Sequence, residues 1–98
     1  MMNAEKIRAI HDLVDGAEVG IVFQPIADIH TRRILAYEAL ARNTNPLFKS
    51  TPEIFDAAVQ AGRVAELGRL HRDQAARLCP HYPLFLNIDP HEFDYGWL

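Results

Sequence analysis

The chain has 98 residues, 49% of them hydrophobic and 23% charged, a composition that predicts one small globular domain. A net charge of -3 argues against binding to a nucleic-acid polymer, and the apolar runs are shorter than the roughly 20 residues of a membrane span. The single cysteine, Cys79, excludes an internal disulfide framework, and the N-terminal residues lack the apolar core of a signal peptide. We therefore expect a cytoplasmic protein.

Residues 1–16 predict a leading helix or linker, because apolar residues recur there with a helical period and Gly16 stands where a helix stop belongs. Residues 21–26 and 34–42 then predict two strands, with Pro25 at an edge, a bulge or a strand end. The polar segment between the strands is too short for a crossover, so we expect them to pair as an antiparallel hairpin.

Two helices are predicted after a loop. Thr51 is the expected N-cap of the first, since Pro52 and Glu53 follow it at positions that favour a helix start. The second runs from residue 64 to 78, with an apolar face that includes His71. Residues 84–88 form a short, almost wholly apolar run, which is typical of a strand covered on both faces. This strand should follow a parallel, right-handed crossover.

Polar side chains interrupt the second strand. Alternation puts Glu38, Leu40 and Arg42 on one face of it, within a strand that otherwise looks buried. A buried carboxylate needs a cation. Arg42 could supply it, but residues 38 and 42 are four apart on a strand, and their Cα atoms are therefore about 13 Å apart, which is far for a direct pair. Glu38 is therefore a surface residue, a member of a hairpin pair, or a ligand of a hard divalent metal.

Asn87 presents the same question on the third strand. It is either a satisfied amide at the strand end or an oxygen ligand of Mg²⁺ or Mn²⁺ beside a carboxylate. Arg42, if it is not simply a solvated charge, has the planar donor fork that suits a phosphate oxygen. Gln24 lies near the same edge and could donate to a ligand, although on its own it says little.

Three ordered segments resemble the opening of an EAL domain: residues 24–26 (Gln-Pro-Ile), 37–42 (Tyr-Glu-Ala-Leu-Ala-Arg) and 86–90 (Leu-Asn-Ile-Asp-Pro). The resemblance covers residues 22–93. Ala41 stands where the family usually has a larger aliphatic residue, and Asp89 where it often has a small polar one. Neither departure removes a ligand.

The resemblance implies a (β/α)₈ TIM-like barrel with an antiparallel first strand, which hydrolyses cyclic-di-GMP to the linear dinucleotide with Mg²⁺ or Mn²⁺. It also implies the roles of five residues in this chain. Glu38 and Asn87 would be metal ligands, Leu40 would pack against a guanine base, Arg42 would hold a phosphate, and Gln24 would line the nucleotide pocket.

A closed barrel needs about 250 residues and eight strands, whereas this chain predicts three strands. We therefore expect residues 17–98 to be an incomplete N-terminal portion of an EAL domain. The 98 residues alone should be inactive, because the family's later metal ligands, lysine and glutamate are absent from them. Their open sheet should favour a homo-oligomer.

Two other functions remain open. The chain could be a non-catalytic module that binds cyclic-di-GMP or dimerises, or a self-sufficient α/β domain with no relation to nucleotides. No pair of its five histidines has the helical spacing of a zinc site.

Overall fold

The computed structural model describes residues 4–16 and 19–95. Its elements in chain order are α1 (Ala4–Asp15), β1 (Gly20–Ala27), β2 (Ile34–Arg42), α2 (Thr51–Gln60), α3 (Val64–Leu78), β3 (Leu84–Leu86) and a 3₁₀ helix (Pro90–Tyr95). The described residues thus form a small α/β domain with a three-stranded, mixed and open sheet in the order β1-β2-β3. None of the described helices is long and apolar enough to cross a membrane.

The first two strands form the predicted antiparallel hairpin. Gln24 lies opposite Glu38 in its register, and a bulge follows Ile26. Asp28 shapes the connection, because its Oδ1 accepts hydrogen bonds from the backbone N–H groups of His30 (2.8 Å) and Thr31 (3.2 Å). Such an aspartate-centred turn closes a short loop without help from the rest of the fold.

The third strand runs parallel to β2, as predicted, after a crossover through α2 and α3. Glu38 lies opposite Phe85 in this register. The strand is shorter than expected and ends at Leu86 rather than residue 88. The expectation that both of its faces are covered is wrong, since Phe85 is 60% exposed and Leu86 is 38% exposed. An apolar run alone does not reveal whether anything packs on it.

The hydrophobic core lies among the three helices and the end of β2, not on the open face of the sheet. Its fully or nearly fully buried members are Ile10, Val14, Val19, Phe48, Ile54, Ala57, Ala58, Val64 and Leu67. Gln74 on α3 holds the chain where it enters β1, since its side chain accepts from the N–H of Val19 (2.9 Å) and donates to the carbonyl of Val19 (2.8 Å). The hairpin is thereby fixed against α3.

The start of α2 corrects one prediction. The N-cap is Ser50, whose side chain accepts from the N–H of Glu53 at 3.3 Å, and Thr51 is the first helical residue. The Thr51 hydroxyl instead donates to the carbonyl of Ala41 at the end of β2 (3.1 Å). Both residue types can cap a helix, and this contact between helix and strand decides which one does. Gly62, with φ of 71°, follows the helix end, where glycine adopts the left-handed conformation at little cost.

Candidate functional site

The polar side chains predicted to form a site lie on the open face of the sheet, and two of them are in contact. Gln24, Glu38 and Phe85 occupy matching positions on the three strands, so they share one face. Asn87, two residues beyond Phe85, donates a hydrogen bond from Nδ2 to Oε2 of Glu38 at 3.4 Å. The structure therefore brings together the carboxylate and the amide that the sequence singled out, although they are 49 residues apart.

Glu38 is half-buried and Asn87 is exposed. The hydrogen bond between them is long, close to the limit at which such a contact stabilises either group. Glu38 forms no ion pair with any described residue. Its carboxylate therefore keeps lone pairs that are free to bind a cation from solution.

Arg42 does not neutralise Glu38. It is exposed at the end of β2, four residues beyond Glu38, which corresponds to about 13 Å along the strand. Its guanidinium also forms no ion pair with a described residue. Gln24 is likewise exposed. Both side chains stand on the face of Glu38 and are available to a ligand.

A cavity of about 470 Å³ adjoins the Glu38–Asn87 pair where β2 and β3 end. It is lined by Leu40, Ala41, Thr51, Pro52, Phe55, Gly68, His71, Asn87, Ile88 and Asp89. Ligands of α/β proteins commonly bind at the carboxyl ends of strands, and this volume is within the range of small-molecule pockets. Leu40 and Asn87, two of the predicted site residues, thus contribute to one concave surface.

His71 is a member of this cavity wall to which the sequence assigned no role beyond the apolar face of α3. It is 3% exposed, and its Nε2 is buried without a hydrogen-bond partner in the described structure. Burial lowers the pKa of His71 below 6.5, the nearby charge of Arg72 lowers this pKa further, and Glu92 opposes the shift. The imidazole is therefore neutral at pH 7.

Glu92 is the second buried polar residue that the sequence reading missed. It is 1% exposed and forms an ion pair with Arg72 of α3, in which Oε1 lies 2.9 Å from Nη2. The carboxylate rests on Gly68, where a side chain would leave it no room. One signal was available in the sequence, since Asp89-Pro90-His91-Glu92 has the spacing of a helix-capping box.

The donor set agrees in part with a site for a hard divalent cation. A carboxylate and an amide oxygen are ligands that Mg²⁺ and Mn²⁺ prefer. Within residues 4–16 and 19–95, however, no group of three or more His, Cys, Asp or Glu side chains is arranged to hold a metal ion. Glu38 and Asn87 therefore supply two ligands at most.

Comparison with protein-family models, with characterised proteins and with solved structures yields no match.

Proposed function

We propose that this chain contributes one part of the metal and nucleotide site of an EAL-type cyclic-di-GMP phosphodiesterase. The observation that carries the proposal is the contact between Asn87, just beyond β3, and Glu38 on β2, with Gln24 opposite Glu38 on β1. The order of the three motif segments in the sequence supports the same assignment. Glu38 and the Oδ1 of Asn87 are the groups that would hold Mg²⁺ or Mn²⁺.

Each residue has a role that follows from its chemistry. A bound Mg²⁺ or Mn²⁺ supplies Lewis-acid stabilisation of a phosphoryl oxygen. Glu38 contributes the negative charge that makes the site attractive to a cation, and Asn87 contributes a neutral oxygen donor. Arg42 offers two parallel N–H donors to a phosphate, which holds the diester in a fixed orientation. Leu40, half-buried beside the cavity, offers an apolar surface to a base.

The metal role is tested by titrating the isotope-labelled chain with Mn²⁺ and recording nuclear magnetic resonance spectra. Paramagnetic broadening should concentrate on residues near 38 and 87, and Glu38→Gln should abolish it. Glu5→Gln is the matched control, because it removes an exposed carboxylate from α1. Broadening that persists in Glu38→Gln would mean that Mn²⁺ binds elsewhere, and the proposed site would be wrong.

The nucleotide role is tested by calorimetric titration with cyclic-di-GMP in the presence of Mn²⁺. Arg42→Ala should weaken binding, while Mn²⁺ broadening around Glu38 should remain. Arg42→Lys preserves the charge but loses the planar fork, so it should recover only part of the affinity. Equal affinities of the parent chain and Arg42→Ala for cyclic-di-GMP would show that Arg42 does not contribute to the site.

A second candidate function is a non-catalytic dimerisation module. It is favoured by the open face of the sheet, where Val22, Ile34 and Phe85 are 39%, 42% and 60% exposed. Among the described strands, β3 has a neighbour on one side only, and an unpaired strand edge can pair with another chain. Self-association without any effect of Mn²⁺ or cyclic-di-GMP would favour this module over the hydrolase.

A further inference from the structure

The segment that follows β3 is fixed by reciprocal contacts between Asp89 and Glu92. Oε2 of Glu92 accepts from the N–H of Asp89 (2.9 Å), and the N–H of Glu92 donates to the carbonyl of Asp89 (2.9 Å). Oδ1 of Asp89 also accepts from the N–H of His91 (2.9 Å). With Pro90 as the first helical residue, the bond from the Asp89 N–H to the Glu92 side chain is one half of a capping box, and these contacts set the direction in which the chain leaves the sheet.

The same Glu92 carboxylate is anchored to α3. Nη1 of Arg72 donates to its Oε2 at 3.2 Å, and Nη2 lies 2.9 Å from its Oε1. Gly68 provides the space, because a Cβ there would overlap the carboxylate. A buried carboxylate is costly to leave unpaired, so Arg72 and the Asp89 N–H together hold it in one position.

Asn87 lies between two fixed points of the backbone. The last ladder residue of β3 is Leu86, and three residues further on the N–H of Asp89 donates to the side chain of Glu92. The side chain of Asn87 is exposed and makes one long hydrogen bond, to Glu38. Its orientation therefore depends on the backbone that Leu86 and Asp89 hold on either side of it.

We propose that Glu92 is a positioning residue for the two metal ligands Glu38 and Asn87. By tying the Asp89 backbone to α3, Glu92 orients Asn87 toward Glu38. The inference rests on the proposed function, because it assigns Asn87 a role in holding a divalent cation. The described partners of the Glu92 side chain are Arg72 and Asp89, not Asn87. Groups that orient metal ligands in this indirect way commonly change metal affinity by 10–100-fold when they are removed.

The test compares variants of the full chain at a temperature where circular dichroism shows them folded. Glu92→Ala should change the chemical shift of the Asn87 side-chain amide and raise the Mn²⁺ concentration for half-broadening at residue 38 about tenfold or more. Glu92→Gln retains an oxygen acceptor for the Asp89 N–H and should recover most of that loss. Asp94→Asn is the matched control, because it removes an exposed carboxylate from the same 3₁₀ helix.

The outcomes separate this inference from the proposed function. If Mn²⁺ fails to broaden residues 38 and 87 in the parent chain, the metal role is wrong, while the Asn87 amide shift still reports on positioning. If Glu92→Ala and Asp94→Asn affect that amide and the Mn²⁺ response equally, Glu92 does not position Asn87. If Glu92→Ala is unfolded, Gly68→Ala takes its place in the test, because a Cβ at residue 68 displaces the Glu92 carboxylate. An unchanged Asn87 amide and Mn²⁺ response in Gly68→Ala would then contradict the positioning role.

Discussion

Replacement of Gly68 by alanine should destabilise this protein, although alanine is the better helix former. Gly68 lies in the interior of α3 and is buried. A Cβ at this position would be 2.5 Å from Cδ and Oε2 of Glu92 and closer still to Oε1. Atoms cannot remain at these separations, so the carboxylate must leave its place between Gly68, Arg72 and the Asp89 N–H.

Two opposing terms decide whether Gly68→Ala raises or lowers the free energy of unfolding. Alanine in place of glycine in a helix interior contributes about 1 kcal/mol of stability. Displacement of Glu92 removes charged hydrogen bonds worth about 1.5–3 kcal/mol and leaves Arg72, 17% exposed, without its partner. We therefore expect the free energy of unfolding to fall by about 0.5–2 kcal/mol.

Urea unfolding followed by circular dichroism at a fixed protein concentration measures this change. Ala76→Gly, at an exposed position of the same helix, calibrates the propensity term and should cost about 1 kcal/mol. In a Glu92→Ala background the clash with the carboxylate is absent, so Gly68→Ala should stabilise the chain by about 1 kcal/mol, the helix-propensity term alone. If Gly68→Ala alone stabilises the chain, Glu92 can move away freely, and its contacts with Arg72 and Asp89 contribute little.

Three further predictions follow from the site and the surface. The 98-residue chain should not hydrolyse cyclic-di-GMP with Mg²⁺ or Mn²⁺ in a chromatographic assay, since its described residues hold no cluster of three or more His, Cys, Asp or Glu side chains for a metal ion. Turnover that Glu38→Ala abolishes would contradict this. Because the pKa of His71 is lower in the folded state than the unfolded value of 6.5, the unfolded chain alone gains that proton as pH falls below 6.5. The free energy of unfolding should thus decrease as the pH falls from 6.5 to the pKa of His71 in the folded state. If His71→Phe shows the same dependence of unfolding free energy on pH, His71 is not its cause. Sedimentation should reveal a homo-oligomer that Phe85→Lys weakens, and a parent chain that stays monomeric at high concentration would refute it.

Local chemistry was sufficient to predict most of the secondary structure. The bounds of β2 and of the helix from Val64 to Leu78 agree with the sequence reading, because hydrophobic period and proline positions act over a few residues. The hairpin followed from a connection too short for a crossover. The nearness of residues 38 and 87 also has a sequence origin, since the predicted parallel crossover places β2 and β3 side by side.

Only the tertiary structure decided which polar groups are buried. Glu92 reaches Arg72 across 20 residues, and Gln74 holds Val19 across 55, so neither pair leaves a periodic mark in the sequence. The choice of Ser50 over Thr51 as the cap depended on a contact with β2. The tertiary structure likewise decided that Phe85 is exposed. Burial is a property of what packs on a residue, and residues distant in the chain supply that packing.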